Sequence, residues 1–257
     1  MRFLSAVHTD IGTTKQINQD AFCIKIAKTP NANIAFAVMC DGMGGLSNGE
    51  YASAVVVNAF TSWFMNELPR ALANNVVDLY SITERWKQIV IDQGEKILQY
   101  GQDTGCSLGT TITALLIIND KFVNIHVGDS RLYRVSDSMH QLTKDQTVAQ
   151  FEIEHNRMTV EQAENDRRSS ILLQCVGASK VIEPFVQVGT VAPNEAYMLC
   201  SDGFRHLISN DEMYSFLAPQ ILTDENVMKN NLVSLVELNK SRGERDNITA
   251  LLIKTID

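Results

Sequence analysis

Short apolar runs rich in β-branched residues recur along the chain and alternate with longer segments of helical periodicity. Each run is bounded by Gly, Asn, Asp or Ser, as β-strands are. The runs are Ile34–Cys40, Ile112–Ile118, Phe122–Val127, Tyr197–Cys200 and Ile248–Ile253. The second and third runs follow one another with a short break at Asn119-Asp120, which predicts a β-hairpin. Antiparallel sheet is therefore expected.

Two longer segments have the spacing of amphipathic helices. Apolar residues fall at i, i+3, i+4, i+7 and i+8 through residues 52–64. A second stripe covers residues 86–97, with Thr83 as its candidate N-cap, and a third helix is expected near 225–240. Such stripes are typical of packing against a sheet. Strands at both ends of the chain, with helices inserted, predict a layered α+β fold and not a βαβ wind.

The segment between Asp145 and Arg168 is polar and charged. It predicts a small helical excursion from the main body. Internal repeats and low-complexity linkers are absent from the sequence, so residues 1–257 are interpreted as one domain.

Composition and charge narrow the class of protein. The chain has 257 residues, 45% hydrophobic and 20% charged, with a net charge of -8, and this acidity argues against nucleic acid or an anionic membrane as a partner. The longest apolar stretch, residues 54–65, is too short to cross a bilayer, so a soluble protein is expected. Five cysteines without a CxxC pair predict buried, reduced thiols and a cytoplasmic location.

A set of aspartates at the ends of predicted strands carries the candidate chemistry. One Asp-Gly pair alone is typical of a turn. Repeated at strand ends, such residues can converge at one edge of a sheet stack, where unpaired carboxylates would repel one another and take up protons unless a dication binds them. These residues are Asp20, Asp41, Asp129, Asp202 and Asp246.

The ligand chemistry points to a hard cation. Oxygen ligands without clustered His or Cys indicate magnesium, manganese or calcium and not zinc. An EF-hand loop, a GxxxxGK[ST] loop, a dinucleotide-binding glycine motif and a GxSxG elbow are all missing from the sequence. Gly42, Gly44 and Gly45 allow close backbone approach, and the Gly42 carbonyl can itself be a ligand. Ser47 and Glu50 are explained as helix capping.

Seven segments spread over nearly the whole chain form one ordered set of motifs. They are Gly12–Asp20 (GTTKQINQD), Cys40–Ser53 (CDGMGGLSNGEYAS), Gly109–Ile117 (GTTITALLI), Val127–Val135 (VGDSRLYRV), Leu142–Thr147 (LTKDQT), Cys200–Ser209 (CSDGFRHLIS) and Arg245–Ile253 (RDNITALLI). In this order they resemble the protein phosphatase 2C (PPM-type) family of metal-dependent phosphatases, in its bacterial form.

This resemblance implies a four-layer αββα sandwich of two antiparallel sheets flanked by helices, with a binuclear metal site at one end. Two Mn²⁺ or Mg²⁺ ions would bind there. Asp41 would bridge both ions, and the Gly42 carbonyl would contact one of them. Asp202 and Asp246 would bind the other, and Asp129 with Asp202 would hold a third, weaker metal.

The resemblance also implies roles around the metals. Asp20 matches an acid that holds metal-bound water, and Gln19, which precedes it, and Asn247, which follows Asp246, are expected to support the metal ligands. Lys15 stands where the family usually has Arg; because an ammonium is a point charge and a guanidinium is a bidentate fork, weaker phosphate positioning is expected. Residues of about 145–180 correspond to the variable flap.

Three further departures from the family pattern concern single residues. Met43 stands where eukaryotic members carry a His proposed as general acid, so the leaving group would take its proton from metal-bound water. His206 replaces a common acid, and Gln146 replaces a common His. The sequence assigns no consequence to these last two replacements.

The implied activity is hydrolysis of phosphoserine and phosphothreonine in proteins by direct attack of a metal-bridging hydroxide. The expected partners are phosphoproteins, among them a bacterial Ser/Thr kinase and its targets. An alternative is a pseudophosphatase that binds phosphoproteins as a regulatory module; the intact Asp41, Asp202 and Asp246 favour the active enzyme. A phosphatase of a regulatory anti-anti-sigma protein would share the chemistry but usually carries sensor domains.

Overall fold

Two antiparallel β-sheets form the centre of the molecule. We describe them from a computed structural model that covers residues 1–44, 48–73, 78–164, 166 and 168–257. In the first sheet the strands lie in the order β1–β11–β10–β7–β8. Their bounds are β1 Arg2–Asp10, β7 Arg131–Val135, β8 Met139–Gln141, β10 Ala196–Cys200 and β11 Ile248–Ile256.

The second sheet has the order β2–β3–β5–β6–β9, and the short strand β4 pairs with the end of β3. Its strands are β2 Asp20–Lys28, β3 Asn33–Gly44, β4 Leu108–Thr110, β5 Ile112–Ile118, β6 Lys121–Val127 and β9 Phe185–Thr190. Strands β5 and β6 form the hairpin predicted around Asn119, which has the left-handed φ of 54° that such a turn requires.

Helices cover the outer faces of both sheets. They are α1 Gly49–Asn66, α2 Leu68–Ala73, α3 Leu79–Thr104, α4 Val148–Glu154, α5 Val160–Glu164, α6 Asp202–Arg205, α7 Asn210–Leu217 and α8 Glu225–Ser241. The three predicted long helices are confirmed as α1, α3 and α8. The polar segment after Asp145 contains α4 and α5, as expected for a helical excursion.

Two expectations about helix starts have different outcomes. Thr83 as the cap of α3 was wrong: the Asp78 carboxylate accepts from the Tyr80 and Ser81 N–H groups, so the helix begins a full turn earlier. The Thr83 hydroxyl instead donates to the Tyr80 carbonyl inside the helix. Ser47, proposed for α1, lies outside the described residues, and the Asn48 side chain makes no capping bond.

Three apolar cores separate the layers, and strand alternation distributes β3 and β11 between them. Along β3, residues 34, 36, 38 and 40 pack under α1 and α3, whereas Ala35, Ala37 and Met39 face the other sheet. Along β11, Ala250 and Leu252 pack under α7 and α8. Side chains of successive strand residues point to opposite faces. The layers are therefore helix, sheet, sheet and helix, and the predicted αββα sandwich is confirmed.

Two smaller expectations concern the cysteines and the membrane. The five cysteines all lie in the described part of the chain and are free thiols; three of them, Cys40, Cys175 and Cys200, are buried. Among the described helices none combines the length and apolarity that a bilayer span requires.

Candidate functional site

One cavity of about 370 Å³ collects most of the predicted site residues at the same end of both sheets. Two residues of the predicted flap, Ser170 and Leu172, are part of its lining. The predicted residues that line it are Lys15, Gln19, Asp41, Gly42, Asp129, Asp202 and Asp246. Asp20 and Asn247 are not part of this lining and lie behind it.

Asp41 stands near the end of β3, where the backbone is held firmly. Its N–H donates to the Thr111 hydroxyl at 2.9 Å, and its carbonyl accepts from the Thr111 N–H and the Thr110 hydroxyl, also at 2.9 Å. In the pairing of β2 with β3, Asp20 is directly opposite Asp41. Side chains of directly opposed residues share one face of a sheet, so the two carboxylates are neighbours.

Gly42 is confined so closely that no larger residue fits. A Cβ at this position would lie 2.2 Å from the Gly49 carbonyl oxygen and 2.7 Å from that of Gln19. The Gly42 N–H donates to the same Gln19 carbonyl at 3.1 Å. The start of α1, the end of β3 and the loop before β2 therefore meet at one point beside Asp41.

Asp202 and Asp246 come from neighbouring loops of the first sheet. Asp202 is the first residue of α6, directly after β10. Asp246 precedes β11, and its backbone passes between two glycines: a Cβ at Gly12 would lie 2.0 Å from the Asp246 carbonyl oxygen, and a Cβ at Gly203 would lie 3.3 Å from the Asp246 Cβ. The glycines let three chain segments approach one another.

Glu244 and His206, which sequence reasoning did not place in the site, fix this loop. The Glu244 carboxylate accepts from the N–H groups of Arg245 and Asp246 at 2.7 and 2.9 Å. The His206 ring lies 3.5 Å from Asp202 and 3.4 Å from Glu244. Partial burial disfavours the charged ring, but Glu244 and Asp202 outweigh it and raise the pKa of His206. The His206 ring thus links the two acidic loops.

Asn247 anchors the loop that carries Lys15. Its side-chain amide donates to the carbonyls of Ile11 and Ile17 at 3.0 and 3.2 Å, and its side-chain oxygen accepts from the Gln19 N–H at 2.9 Å. The side chain of Asn247 is buried. A buried amide with all three bonds satisfied holds a loop in one conformation.

Lys15 forms an ion pair with one of the proposed metal ligands. Its ammonium lies 2.7 Å from Asp246 Oδ1, and the Asn247 N–H donates to the same oxygen at 2.7 Å. Partial burial acts to lower the pKa of Lys15, but the hydrogen bond to Asp246 and the charges of Asp246, Asp41 and Asp202 raise it. The predicted phosphate-binding cation is therefore held at the cavity wall by an acid of the site.

The carboxylates of the cavity suppress one another's ionisation. Burial, followed by the charges of Asp20 and Asp202, raises the pKa of Asp41 well above its ordinary value. Burial also raises the pKa of Asp20 to about 7. For Asp129, burial and Asp202 raise the pKa to about 7 against the opposing guanidinium of Arg205. This is the behaviour of several buried acids that share one space.

The donor set fits hard divalent cations. Both carboxylate oxygens of Asp20 and Oδ1 of Asp202 are buried without a hydrogen-bond partner among the described residues. The Thr249 and Ser201 hydroxyls favour the ionised form of Asp20 without hydrogen-bond geometry to it. Buried carboxylate oxygens without partners are costly, and oxygen ligation by a cation would satisfy them.

The side chains are not, however, arranged as a finished ligand cage. Within residues 1–44, 48–73, 78–164, 166 and 168–257, no group of three or more His, Cys, Asp or Glu side chains has the spacing of one complete metal site. Lys15 instead neutralises part of the acidic charge through Asp246. The fold therefore places these residues around one cavity, while the metal roles of Asp41, Gly42, Asp202, Asp246 and Asp129 stay predictions.

Gln146 acquires a structural role that the sequence did not assign. Its side-chain oxygen accepts from the Gly128 N–H, and its own N–H donates to the Gly128 carbonyl, both at 2.8 Å. Gly128 has a φ of 111° and precedes Asp129. The Gln146 carbonyl also accepts from the Leu173 N–H. Gln146 therefore connects the turn before Asp129 with the flap.

An ion network beneath Asp129 was also missed from sequence. The Arg131 guanidinium makes two hydrogen bonds of 2.8 Å to the Asp145 carboxylate. Arg205 donates to Asp145 Oδ2, which Arg131 also contacts, at 3.2 Å and to the Asp129 carbonyl at 3.1 Å. These contacts join residues far apart in the chain, and charge alone does not identify them in a sequence.

The comparison with known proteins now decides the family. Residues 12–237 match the family model described as protein phosphatase 2C. The chain belongs to the protein phosphatase 2C family. The family, the fold and the class of enzyme expected from the sequence, a phosphatase, are thereby confirmed.

Similar proteins come from several bacteria. Protein phosphatase PhpP of Streptococcus pneumoniae is 27% identical over 248 residues, which are 95% of this chain and 94% of PhpP. The solved serine/threonine phosphatase of S. agalactiae is 27% identical with a TM-score of 0.82, covering 98% of this chain and 99% of that one. The catalytic domain of PstP in complex with two manganese ions shares the fold, with a TM-score of 0.79 at 24% identity, covering 99% of each chain.

Proposed function

We propose that this protein hydrolyses phosphoserine and phosphothreonine in proteins and that it needs Mn²⁺ or Mg²⁺ to do so. The observation that carries the proposal is the single cavity in which Asp41, Asp129, Asp202 and Asp246 meet Lys15. Support for the substrate comes from the names of similar proteins, which are serine/threonine phosphatases. A Ser/Thr kinase and its targets would be the natural source of such phosphoproteins.

The acids would hold the cations and Lys15 would hold the substrate. Asp41, the Gly42 carbonyl, Asp202 and Asp246 would be ligands of two ions, and Asp129 would contribute to a third. When bound, such ions lower the pKa of water and neutralise charge on a phosphoryl group. The match to the manganese-containing PstP domain supports this choice of ion through the shared fold.

The surrounding residues would keep these groups in position. Asn247 holds the loop of Lys15, and Glu244 with His206 holds the loops of Asp246 and Asp202. Gly42 allows the backbone of Asp41 to approach α1 closely. A site held by buried hydrogen bonds needs little reorganisation when the substrate binds.

Metal titration of the purified protein tests the proposal. We expect EDTA to abolish hydrolysis of p-nitrophenyl phosphate and of a phosphothreonine peptide, and added Mn²⁺ or Mg²⁺ to restore both. Isothermal titration calorimetry should show Mn²⁺ binding in the absence of substrate. Folded protein that neither binds Mn²⁺ nor releases phosphate from either substrate would refute the proposal and leave a phosphoprotein-binding role.

A further inference from the structure

A groove of about 970 Å³ lies next to the catalytic cavity and is unused by the proposed chemistry. It runs between the flap helices α4 and α5 on one side and the α6–α7 segment on the other. The groove and the cavity share two lining residues, Asp129 and Ser170. A substrate whose phosphate enters the cavity can therefore continue into the groove without leaving the protein surface.

Aliphatic side chains lie on both walls of this groove, among polar ones such as Gln150 and Asn210. Ile153 and Val160 line the flap side, and Leu207 and Ile208 line the opposite side. Val160 is 62% exposed and Leu207 is 38% exposed. Exposed aliphatic residues that face one another across a concave surface are typical of a binding site.

The charged side chains in the groove pair with one another. The Arg131 and Arg205 guanidiniums both bond to Asp145, and Arg205 also faces Asp129. At the far end, Glu212 is paired with Arg242. Because each of these cations already faces a carboxylate, its charge is largely balanced and gives little attraction to an acidic or second phosphate group.

We propose that the groove binds the polypeptide that flanks the phosphorylated residue and selects an aliphatic side chain there. This inference rests on the proposed function, since it places the phosphorylated residue in the catalytic cavity. The volume of the groove is at the upper end of the range for pockets that bind drug-sized molecules, and this volume suits a short peptide segment. The groove thus assigns a substrate class: phosphoproteins with Leu, Ile or Val beside the phosphorylated residue.

Two exposed groove residues allow a test that leaves the core intact. The variants are Val160→Asp and Leu207→Asp. The matched controls are Val181→Asp and Leu98→Asp, because Val181 is 71% exposed, Leu98 is 44% exposed and neither lines the groove. All variants would be measured with p-nitrophenyl phosphate, which fills only the catalytic cavity, and with phosphothreonine peptides carrying Leu or Ser at each flanking position.

We expect the wild-type protein to prefer Leu over Ser at one or more flanking positions by about tenfold in kcat/KM. Loss of one apolar contact usually lowers kcat/KM by about this factor. Val160→Asp and Leu207→Asp should remove that preference through KM and leave p-nitrophenyl phosphate hydrolysis unchanged. Equal kcat/KM for all peptides, or the same loss in the control variants, would overturn the groove proposal alone. Wild-type protein inactive toward both substrates would overturn the proposed function and the groove with it.

Discussion

Asp20 lies directly opposite Asp41 across the β2–β3 pairing, so the two acids share one face of the sheet, with Asp41 in the lining of the cavity. Like charges in this position repel. Further aspartates, Asp202 and Asp246, add to the repulsion on both. The protein therefore keeps an arrangement that lowers its own stability, which is typical of a functional site.

The first prediction concerns the pH dependence of stability without metal. The pKa of Asp20 is raised from 3.8 to about 7, so the folded protein binds this proton more tightly than the unfolded chain does. The stabilisation of the folded state by this proton is fully present below about pH 4 and is lost as the pH rises toward 7. Asp129 acts in the same direction. In EDTA, the melting temperature should fall between pH 5 and pH 7.5.

Asp20→Asn should reduce this slope, because the amide has no proton to lose. At roughly 1.4 kcal/mol per pKa unit, Asp20 accounts for on the order of 2–4 kcal/mol. Asp103→Asn, which changes an exposed acid at the end of α3, should keep the wild-type slope. A melting temperature that rises from pH 5 to 7.5 in the wild-type protein would show that the acids are not coupled in this way.

The second prediction separates activity from stability at Lys15. Its ion pair with Asp246 is about 40% exposed on each side, and such pairs add little to stability. Lys15→Ala should leave the melting temperature nearly unchanged but lower kcat/KM toward a phosphopeptide by about tenfold or more, since a charged hydrogen bond to phosphate is lost. Lys15→Arg should raise kcat/KM a few-fold because the guanidinium binds phosphate bidentately.

The control for Lys15 is Lys87→Ala, which breaks an exposed ion pair with Glu84 on α3. It should change neither quantity. Unchanged kcat/KM in both Lys15 variants would mean that Lys15 serves only to pair with Asp246 and does not contact phosphate.

The third prediction concerns Gly42. Alanine at this position would place its Cβ 2.2 Å from the Gly49 carbonyl oxygen, so β3 must move relative to α1. We expect Gly42→Ala to lower the free energy of unfolding by at least about 2 kcal/mol and to remove activity by displacing Asp41. Gly94→Ala is the control: its Cβ would lie 3.0 Å from the flexible tip of Ile182 and 3.7 Å from its next neighbours, and alanine is the better helix former. Denaturant titration distinguishes them, and equal stabilities would contradict the close contact.

The fourth prediction concerns Gln146. Gln146→Leu leaves the buried Gly128 N–H without its acceptor, which should cost about 1–2 kcal/mol. Hydrogen exchange at the Gly128 amide should accelerate with it. Gln88→Leu, which removes an exposed side-chain bond to Asp92, should have neither effect. An unchanged exchange rate at Gly128 would show that Gln146 does not hold this turn.

The sequence predicts those parts of the fold and the site that depend on local pattern. The strand predicted at Ile34–Cys40, the hairpin at Asn119 and the helix of residues 225–240 follow from the local pattern of apolar and turn residues, although β3 continues beyond Cys40 to Gly44. The gathering of Asp41 and Asp202 follows from their position at strand ends. The resemblance of ordered motifs supplied the sandwich topology.

What the sequence did not predict depends on contacts between distant loops. Lys15 meets Asp246 across 231 residues, and His206 meets Glu244 across 38. Loop conformation decides these pairs, and it leaves no periodic signal. The predicted start of α3 was wrong because both Asp78 and Thr83 have side chains that can cap a helix. Only the structure shows which of them accepts from the backbone N–H groups at the helix start.

Manganese-dependent phosphate release by Asp41→Asn tests the central claim most directly. The substitution removes a charge that burial and its neighbours disfavour, so the variant should stay folded and melt no lower than the wild type in EDTA. We predict that phosphate release from a phosphothreonine peptide then falls by a factor of about 1,000 or more at saturating Mn²⁺, because a ligand of the activating ions is lost. Release by a folded Asp41→Asn variant at the wild-type rate would contradict the account.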